Sequence, residues 1–525
     1  MEHSISEKVS WKPLIAAGIF ALVLARIIDK EISLPTPLIL SVGILGGLSL
    51  LLSSLFRPEV PFYVLVAYIP FTRILPGNFG GAVTAFNLMN LLCGVTLIGL
   101  LARSTKEGGF WQKSNMNVPI LLFALIGAVS VLRGSWEYGT WYFWREVTPL
   151  KRWLTPMFFY FLALWIVRDR RTLKTVVLIL LICVTVVGLM AIKDYIDVGP
   201  RSSLESERIG GIAEQPNMLA AFFSYYMFIF GAFFLCNSTR PRYWLLLIPF
   251  LICFRGIQVT FSRGGYLAFF TGAFALAFFK NKGLFVFSIV ALIFAFMNPV
   301  LLPKGIAYRL LSTFQNVEPT EQGNLGVVAA DIYKGEDVPL EGSAQGRIAV
   351  WKGAFRIIAN FPLWGTGYGT FGAVVPFYAP ELRGSRLDAH NSYLVIAAEM
   401  GLPALFIFLW VLFLVIWKTY RLYKTAKDPF IKATALGFLA GLFALLMANM
   451  FGSRLHHEEI SGYFWVLTAL MVRGLLLEQG PVPQRSRVGT KRVAAQTIPA
   501  PIAAKSRSLS ATLRRLDRVK YGGKR

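Results

Sequence analysis

The chain has 525 residues, of which 55% are apolar and only 15% charged, and its mean hydropathy is +0.57. That composition excludes an ordinary soluble globular domain and indicates a polytopic membrane protein. The net charge of +25 does not signal nucleic acid, because no aromatic platform or folded nucleic-acid module accompanies it. Much of the excess crowds into residues 485–525, where Asp517 is the only acidic residue. Such a tail is expected to be disordered and to lie near the anionic headgroups of membrane lipids.

In chain order, apolar runs fall at 14–28, 36–56, 60–75, 83–102, 116–132, 153–167, 173–193, 216–235, 243–260, 264–279, 284–303, 391–417, 431–451 and 460–477. They predict an all-α, polytopic fold with about 12–14 transmembrane helices. Runs 14–28, 60–75 and 153–167 fall short of the ~20 residues of a straight crossing, so they are expected to be re-entrant or lengthened by flanking aromatics. The first has basic flanks at Lys8 and Lys12 without a small-residue cleavage site, and reads as a retained span. Cys93, Cys183, Cys236 and Cys253 lie within or at the ends of apolar runs and imply neither a disulfide framework nor a metal set.

The basic residues fix an expected orientation. Arg57, Arg103, Lys106, Lys113, Arg168, Arg170, Arg171, Lys174, Arg240, Arg242, Lys280, Lys282, Lys418, Arg421, Lys424, Lys427, Lys432 and the tail fall on one set of connections. The positive-inside rule puts that set and both termini in the cytoplasm of a multi-pass inner-membrane protein. Connections 133–152, 194–215, 261–264, 304–390 and 452–459 are then periplasmic or extracellular. The expected organisation is an N-terminal bundle (1–303), a large outer loop containing short helices (304–389), C-terminal helices (390–478) and a basic tail (479–525).

The outer connections carry the candidate chemistry. Asp388-Ala389-His390-Asn391-Ser392-Tyr393-Leu394 stands where the long polar loop meets an apolar run. A histidine at that boundary can accept or donate a proton where a lipid-borne substrate meets a water-soluble one, although His-Asn-Ser also suits a helix cap. Three sparse arginines sit among aromatics and glycines on the same side: Arg145 in Trp144-Arg145-Glu146, Arg208 in Arg208-Ile209-Gly210-Gly211, and Arg263 in Ser262-Arg263-Gly264-Gly265. A guanidinium fork suits phosphate oxygens, and glycine lets backbone amides approach the same anion. Pro216-Asn217 opens a helix whose free amides also favour an anion. Snorkelling and plain helix-start roles remain open for these residues.

Within the loop, 343–358 has a helical stripe with Ile348, Trp351, Phe355 and Ile358 on one face and Lys352 and Arg356 on another. It is expected to lie along the membrane surface and cover a cavity, with Arg347 either solvated or touching substrate. Gly365-Thr366-Gly367-Tyr368-Gly369-Thr370 lacks the Lys-Ser/Thr of a nucleotide loop and reads as a flexible turn. Acidic residues Glu318, Glu321, Asp331, Glu336, Asp337 and Glu341 mark 315–342 as a solvated loop or a mobile lid portion. Arg454, His456, His457, Glu458 and Glu459 form a second outer cluster, in which adjacent histidines point apart and do not suit a shared metal.

The order and spacing of these motifs resemble the bacterial O-antigen ligase and polymerase superfamily. The resemblance rests on Arg208-Ile209-Gly210-Gly211 with Pro216-Asn217, then Ser262-Arg263-Gly264-Gly265, Arg347 through Gly367, and His390-Asn391-Ser392-Tyr393-Leu394 followed by Glu399-Met400-Gly401. It covers roughly 205–410; the first two hundred residues agree only in being polytopic. It implies a membrane glycosyltransferase of the C-type fold that needs no metal or other cofactor. Such enzymes move a glycan from undecaprenyl diphosphate to a hydroxyl of a glycan or lipid A-core acceptor at the periplasmic face. Carried over by motif, Arg208 and Arg263 hold the diphosphate and His390 activates the acceptor, while Arg145, Asn217, Arg347, Asn391 and Glu399 are candidate substrate contacts. Repeat-unit polymerisation uses nearly the same donor chemistry, and solute or bicarbonate transport is the alternative from another class.

Overall fold

The computed structural model describes residues 36–75, 87–107, 111–199, 208–298, 342–380 and 388–479. The span expected at 14–28, the acidic segment 315–341 and the basic tail lie outside them. The described residues form helices and connecting turns with no β-strand among them, and eight helices are long and apolar enough to cross a bilayer. An all-α polytopic fold is therefore what the composition produces. Helices satisfy every backbone group internally, which the hydrocarbon layer demands.

The helices are α1 (Thr36–Phe56), α2 (Glu59–Tyr68), α3 (Leu88–Glu107), α4 (Asn117–Tyr138), α5 (Thr140–Ile166), α6 (Arg170–Val198), α7 (Pro216–Tyr226), α8 (Phe228–Cys236), α9 (Leu247–Val259), α10 (Arg263–Lys280) and α11 (Lys282–Met297). After the undescribed segment come α12 (Gly342–Asn360), α13 (Phe371–Tyr378), α14 (Ser392–Thr425), α15 (Pro429–Met450) and α16 (Glu458–Gln479). The tandem α7–α8, α15 and α16 are the most enclosed, with α6 next. The remaining helices pack around them.

Polar contacts sort to two ends. At one end lie Lys174–Asp428 (2.7 Å), Arg170–Glu478 (3.2 Å), Arg103–Glu59, and Arg473 donating to Leu164 O (2.6 Å). At the other lie Arg73–Glu459 (2.6 Å), the Arg208 and Asn217 pair, and Asp388 with His390. Arg103, Arg170 and Lys174 of the first set belong to the connections expected to be cytoplasmic. The second is called the site end below.

Two expectations from sequence need correction, and a third gains detail. Residues 133–152 are not a connecting loop: α4 runs to Tyr138 and α5 begins at Thr140, with a sharp reversal at Gly139 (φ 91°). The short run 153–167 is thus the second half of a 27-residue helix. On α12 a face beside the expected membrane stripe packs on the protein. Val350, Ala354 and Ile357 pack on Phe371, Val375 and Ala398, while Ile348 and Phe355 stay exposed. A surface helix with apolar residues on two faces carries two candidate stripes, and periodicity does not rank them. Last, 365–370 is pinned rather than loose. Thr366 N–H donates to Ala398 O (2.9 Å), Gly367 N–H to Glu399 O (2.9 Å), and the hydroxyls of Thr366 and Thr370 lie 2.7 Å apart.

The last correction has a backbone cause. Gly365, Gly367 and Gly369 all have positive φ, as does Gly401 inside α14, where the helix kinks. A Cβ at Gly401 would collide with Leu363 O, and one at Gly365 with the Glu399 backbone. The turn therefore nests against the kink because both sides lack side chains.

Close approach also sets the core. Gly437 and Gly441, one turn apart on α15, face the backbone of α7–α8, where a Cβ would meet Ile229 and the Tyr225 carbonyl. Small residues at this spacing let membrane helices touch backbone to backbone. Replacing Gly441 by Val is expected to lower stability by at least the ~1–3 kcal/mol of overpacking. A thermal melt of the detergent-purified protein that is unchanged by this substitution would contradict the seam.

Candidate functional site

Two helix starts converge at the site end. Ser262 caps α10 by accepting from Gly265 N–H (3.2 Å), and its hydroxyl donates to Asn217 Oδ1 (2.7 Å) in the first turn of α7. Arg208 completes the cluster, donating through Nε to Thr260 O (3.0 Å) and through Nη2 to Asn217 Oδ1 (2.9 Å). The glycines of the two motifs explain themselves here. A Cβ at Gly265 would strike Ala220, and one at Gly210 would strike the Glu214 backbone. Arg263, the first residue of α10, is half-buried beside them. The positive ends of two helix dipoles and the Arg208 guanidinium therefore meet in one region, which favours an anion.

The histidine lies across a short bridge of packed residues. A Cβ on Gly264 would come 3.4 Å from Phe451 Cβ, the Phe451 ring lies 6.4 Å from that of Trp351, and Trp351 Nε1 donates to Ala389 O (2.8 Å). His390 follows with φ 46°, its N–H donating to Asp388 Oδ1 (3.1 Å) and its Nδ1 3.3 Å from Asp388 Oδ2. Its ring is about half exposed (47%). Asn391 is the cap of α14, accepting from the Tyr393 and Leu394 N–H groups. The motif therefore joins both readings: Asn391 starts the helix, and His390 stands free of it.

Asn449, at the end of α15, ties these parts together. Its Oδ1 accepts from Ser392 Oγ (2.7 Å) and Arg454 N–H (3.3 Å), and its Nδ2 donates to Tyr225 OH (3.0 Å) and Leu445 O (2.8 Å). Burial pushes the nearby Arg454 guanidinium below its ordinary value, with Tyr225 and Asp388 opposing and Arg347 and Arg208 adding to the effect. Arg208, Arg347, Asp388 and Arg454 thus feel one another's charge.

Arg145 and Glu399 belong to a neighbouring group. Arg145 lies 4.6 Å over the Trp141 ring and pairs with Glu146, while Glu399 is buried in α14 and accepts from Phe371 N–H (3.0 Å) at the start of α13. Both glutamates line a cavity of about 260 Å³ together with Asp388, Tyr368, Ser453 and His456. His456 stacks on Trp153 at 4.2 Å, while His457 Nδ1 lies 2.9 Å from Arg73 Nη2. The two adjacent histidines thus serve different surroundings.

Sequence reasoning missed Asp388, Glu146, His456, Asn449 and Arg454 as site residues. Asp388 had a usable signal, a carboxylate two residues before a histidine. Glu146 had none, because its segment read as a loop.

The His390 proton affinity follows from this geometry. Burial lowers it, Asp388 raises it, and Arg347 and Arg454 lower it. The imidazole therefore titrates below its usual ~6.5 and is neutral at pH 7. Asp388→Asn removes the one opposing charge, so the midpoint should move still lower. Histidine NMR of the labelled full chain checks both: a wild-type midpoint above the usual value, or an upward move in the variant, would contradict the arrangement.

Residues 248–409 match the family model described as O-antigen ligase. The match contains Arg263, Arg347, His390, Asn391 and Glu399, while Arg145, Arg208 and Asn217 precede it. No curated protein matches the chain. The family match bears out the resemblance drawn from the motifs, and it supports a glycosyltransferase of the O-antigen ligase or polymerase type in a multi-pass membrane protein.

Proposed function

We propose that the protein transfers a glycan from undecaprenyl diphosphate to a hydroxyl of a glycan acceptor such as lipid A-core, at the outer face of the inner membrane. One observation carries the reading: the Arg208, Asn217 and Ser262 cluster and the Asp388–His390 pair occupy the same end, joined through Phe451 and Trp351. The positive-inside pattern supports an outward-facing site end and cytoplasmic termini.

In this reading Arg208 and Arg263 hold the diphosphate at the paired starts of α7 and α10. The acceptor hydroxyl attacks the anomeric carbon, and neutral His390 takes its proton. As the new C–O bond forms, the bond from the anomeric carbon to the diphosphate oxygen breaks and the lipid diphosphate leaves as an anion. Its charge grows towards the transition state, so fixed guanidinium groups stabilise that state more than the ground state. They supply the countercharge that a divalent cation supplies elsewhere. Asp388 orients the imidazole through Nδ1 and leaves Nε2 for the acceptor.

Two substitutions test this. His390→Ala should reduce transfer by about 10²–10⁴-fold in a membrane assay with lipid-linked donor while the protein inserts normally. Near-normal transfer would sink the assignment. Arg208→Lys keeps a charge but loses the fork, and a loss of roughly 10²-fold in rate with unchanged thermal stability is expected. A rate equal to wild type would remove Arg208 from the leaving-group site. In a deletion strain, lipid-linked polymer accumulating beside an unmodified acceptor marks ligation, and single-repeat products mark polymerisation.

A further inference from the structure

The cavity between α5, α13 and α14 is lined by none of Arg208, Asn217, Ser262 and Arg263. Its walls are of two kinds. Glu146, Glu399, Asp388, Ser453 and His456 make up its polar lining, and Tyr368, Phe371, Pro149 and Val395 its apolar lining. The His456 ring is held beside this cavity by its stacking on Trp153.

Carboxylates that accept from hydroxyls, opposite flat apolar surface that takes C–H faces, suit a sugar ring. At about 260 Å³ the cavity is smaller than the ~300–1,000 Å³ of pockets for drug-sized ligands. One ring fits that scale better than a disaccharide. Asp388 joins the cavity to the reaction centre, since it touches His390 Nδ1 at 3.3 Å and receives Ser453 Oγ at 3.4 Å.

We propose that this cavity is a sugar subsite for the acceptor, seating one neutral or amino sugar ring beside the Asp388–His390 pair. The acceptor role rests on the glycosyltransferase reading given above, whereas binding of the ring does not. The carboxylates of Asp388 and Glu146 repel an anionic ring, so uronic acids are excluded. The cationic donor cluster and the acidic cavity then flank His390 and sort the two substrates by charge.

Saturation-transfer NMR on the full-length protein in nanodiscs tests the subsite with methyl glucoside, methyl galactoside, methyl glucosaminide and methyl glucuronide. At least one of the first three should bind and the glucuronide should not. Glu146→Gln should weaken binding by about tenfold, the scale of one hydrogen bond to a charged group, and Val395→Phe should abolish it by filling the cavity. His390→Ala should leave binding intact. Failure of all neutral and amino sugars, equal binding of the glucuronide, or undiminished binding in both cavity variants with wild-type melting would overturn the proposal. If His390→Ala still transfers glycan, the catalytic reading fails while the binding result stands. If it stops transfer but the cavity variants bind normally, the subsite alone fails.

Discussion

The site end depends on one buried amide. Asn449 lies at the end of an apolar helix, out of reach of solvent, where an unsatisfied polar group is costly. Both of its donors and both acceptor positions are used, by Tyr225 and Leu445 on one side and Ser392 and Arg454 on the other. An amide with all four bonds filled leaves no alternative arrangement of equal energy. The start of α14, the body of α7 and the 451–454 turn are therefore held in one register. The Phe451 contact to α10 and the position of His390 follow from it.

How much of this was legible in the sequence depends on the kind of signal. Backbone requirements were readable: Gly264-Gly265 and Gly210-Gly211 marked close approaches, Asn391 marked a cap, and Pro216-Asn217 marked a helix start. Side-chain direction was not. In a helix enclosed by other helices or lipid, apolar residues occupy every face, so the 3.6-residue period loses contrast. That is why the inward face of α12, Val350, Ala354 and Ile357, did not stand out beside the stripe expected along the membrane. The same loss hid Glu146, which sits in an aromatic and basic stretch that read as an outer connection. It is in fact buried against the Gly369 turn, where a Cβ would meet its carboxylate.

Contacts distant in sequence were the other blind spot. Glu399 appeared beside the histidine motif and looked like a substrate contact. In the fold its carboxylate caps α13 and its carbonyl holds Gly367, so it shapes the cavity wall while facing the cavity. The glycine turn read as flexible for the same reason. Three positive-φ glycines signal freedom in isolation, whereas the kink at Gly401 that receives them lies some thirty residues away. Conformational permission and mobility are different properties, and only the second requires the absence of partners.

The electrostatics of the site bind its two halves into one device. Arg347 and Arg454 depress the proton affinity of His390, and Arg208 lies near enough to act on Arg454 in the same sense. Added to burial, the largest cause, Arg347 and Arg454 keep the imidazole neutral at pH 7 and a weak base. Arg454 is the group that the two halves share: it feels Arg208 on one side and lowers the proton affinity of His390 on the other. Its backbone N–H donates to Asn449 Oδ1, so the amide that sets the register of α14 and α7 also positions that shared charge.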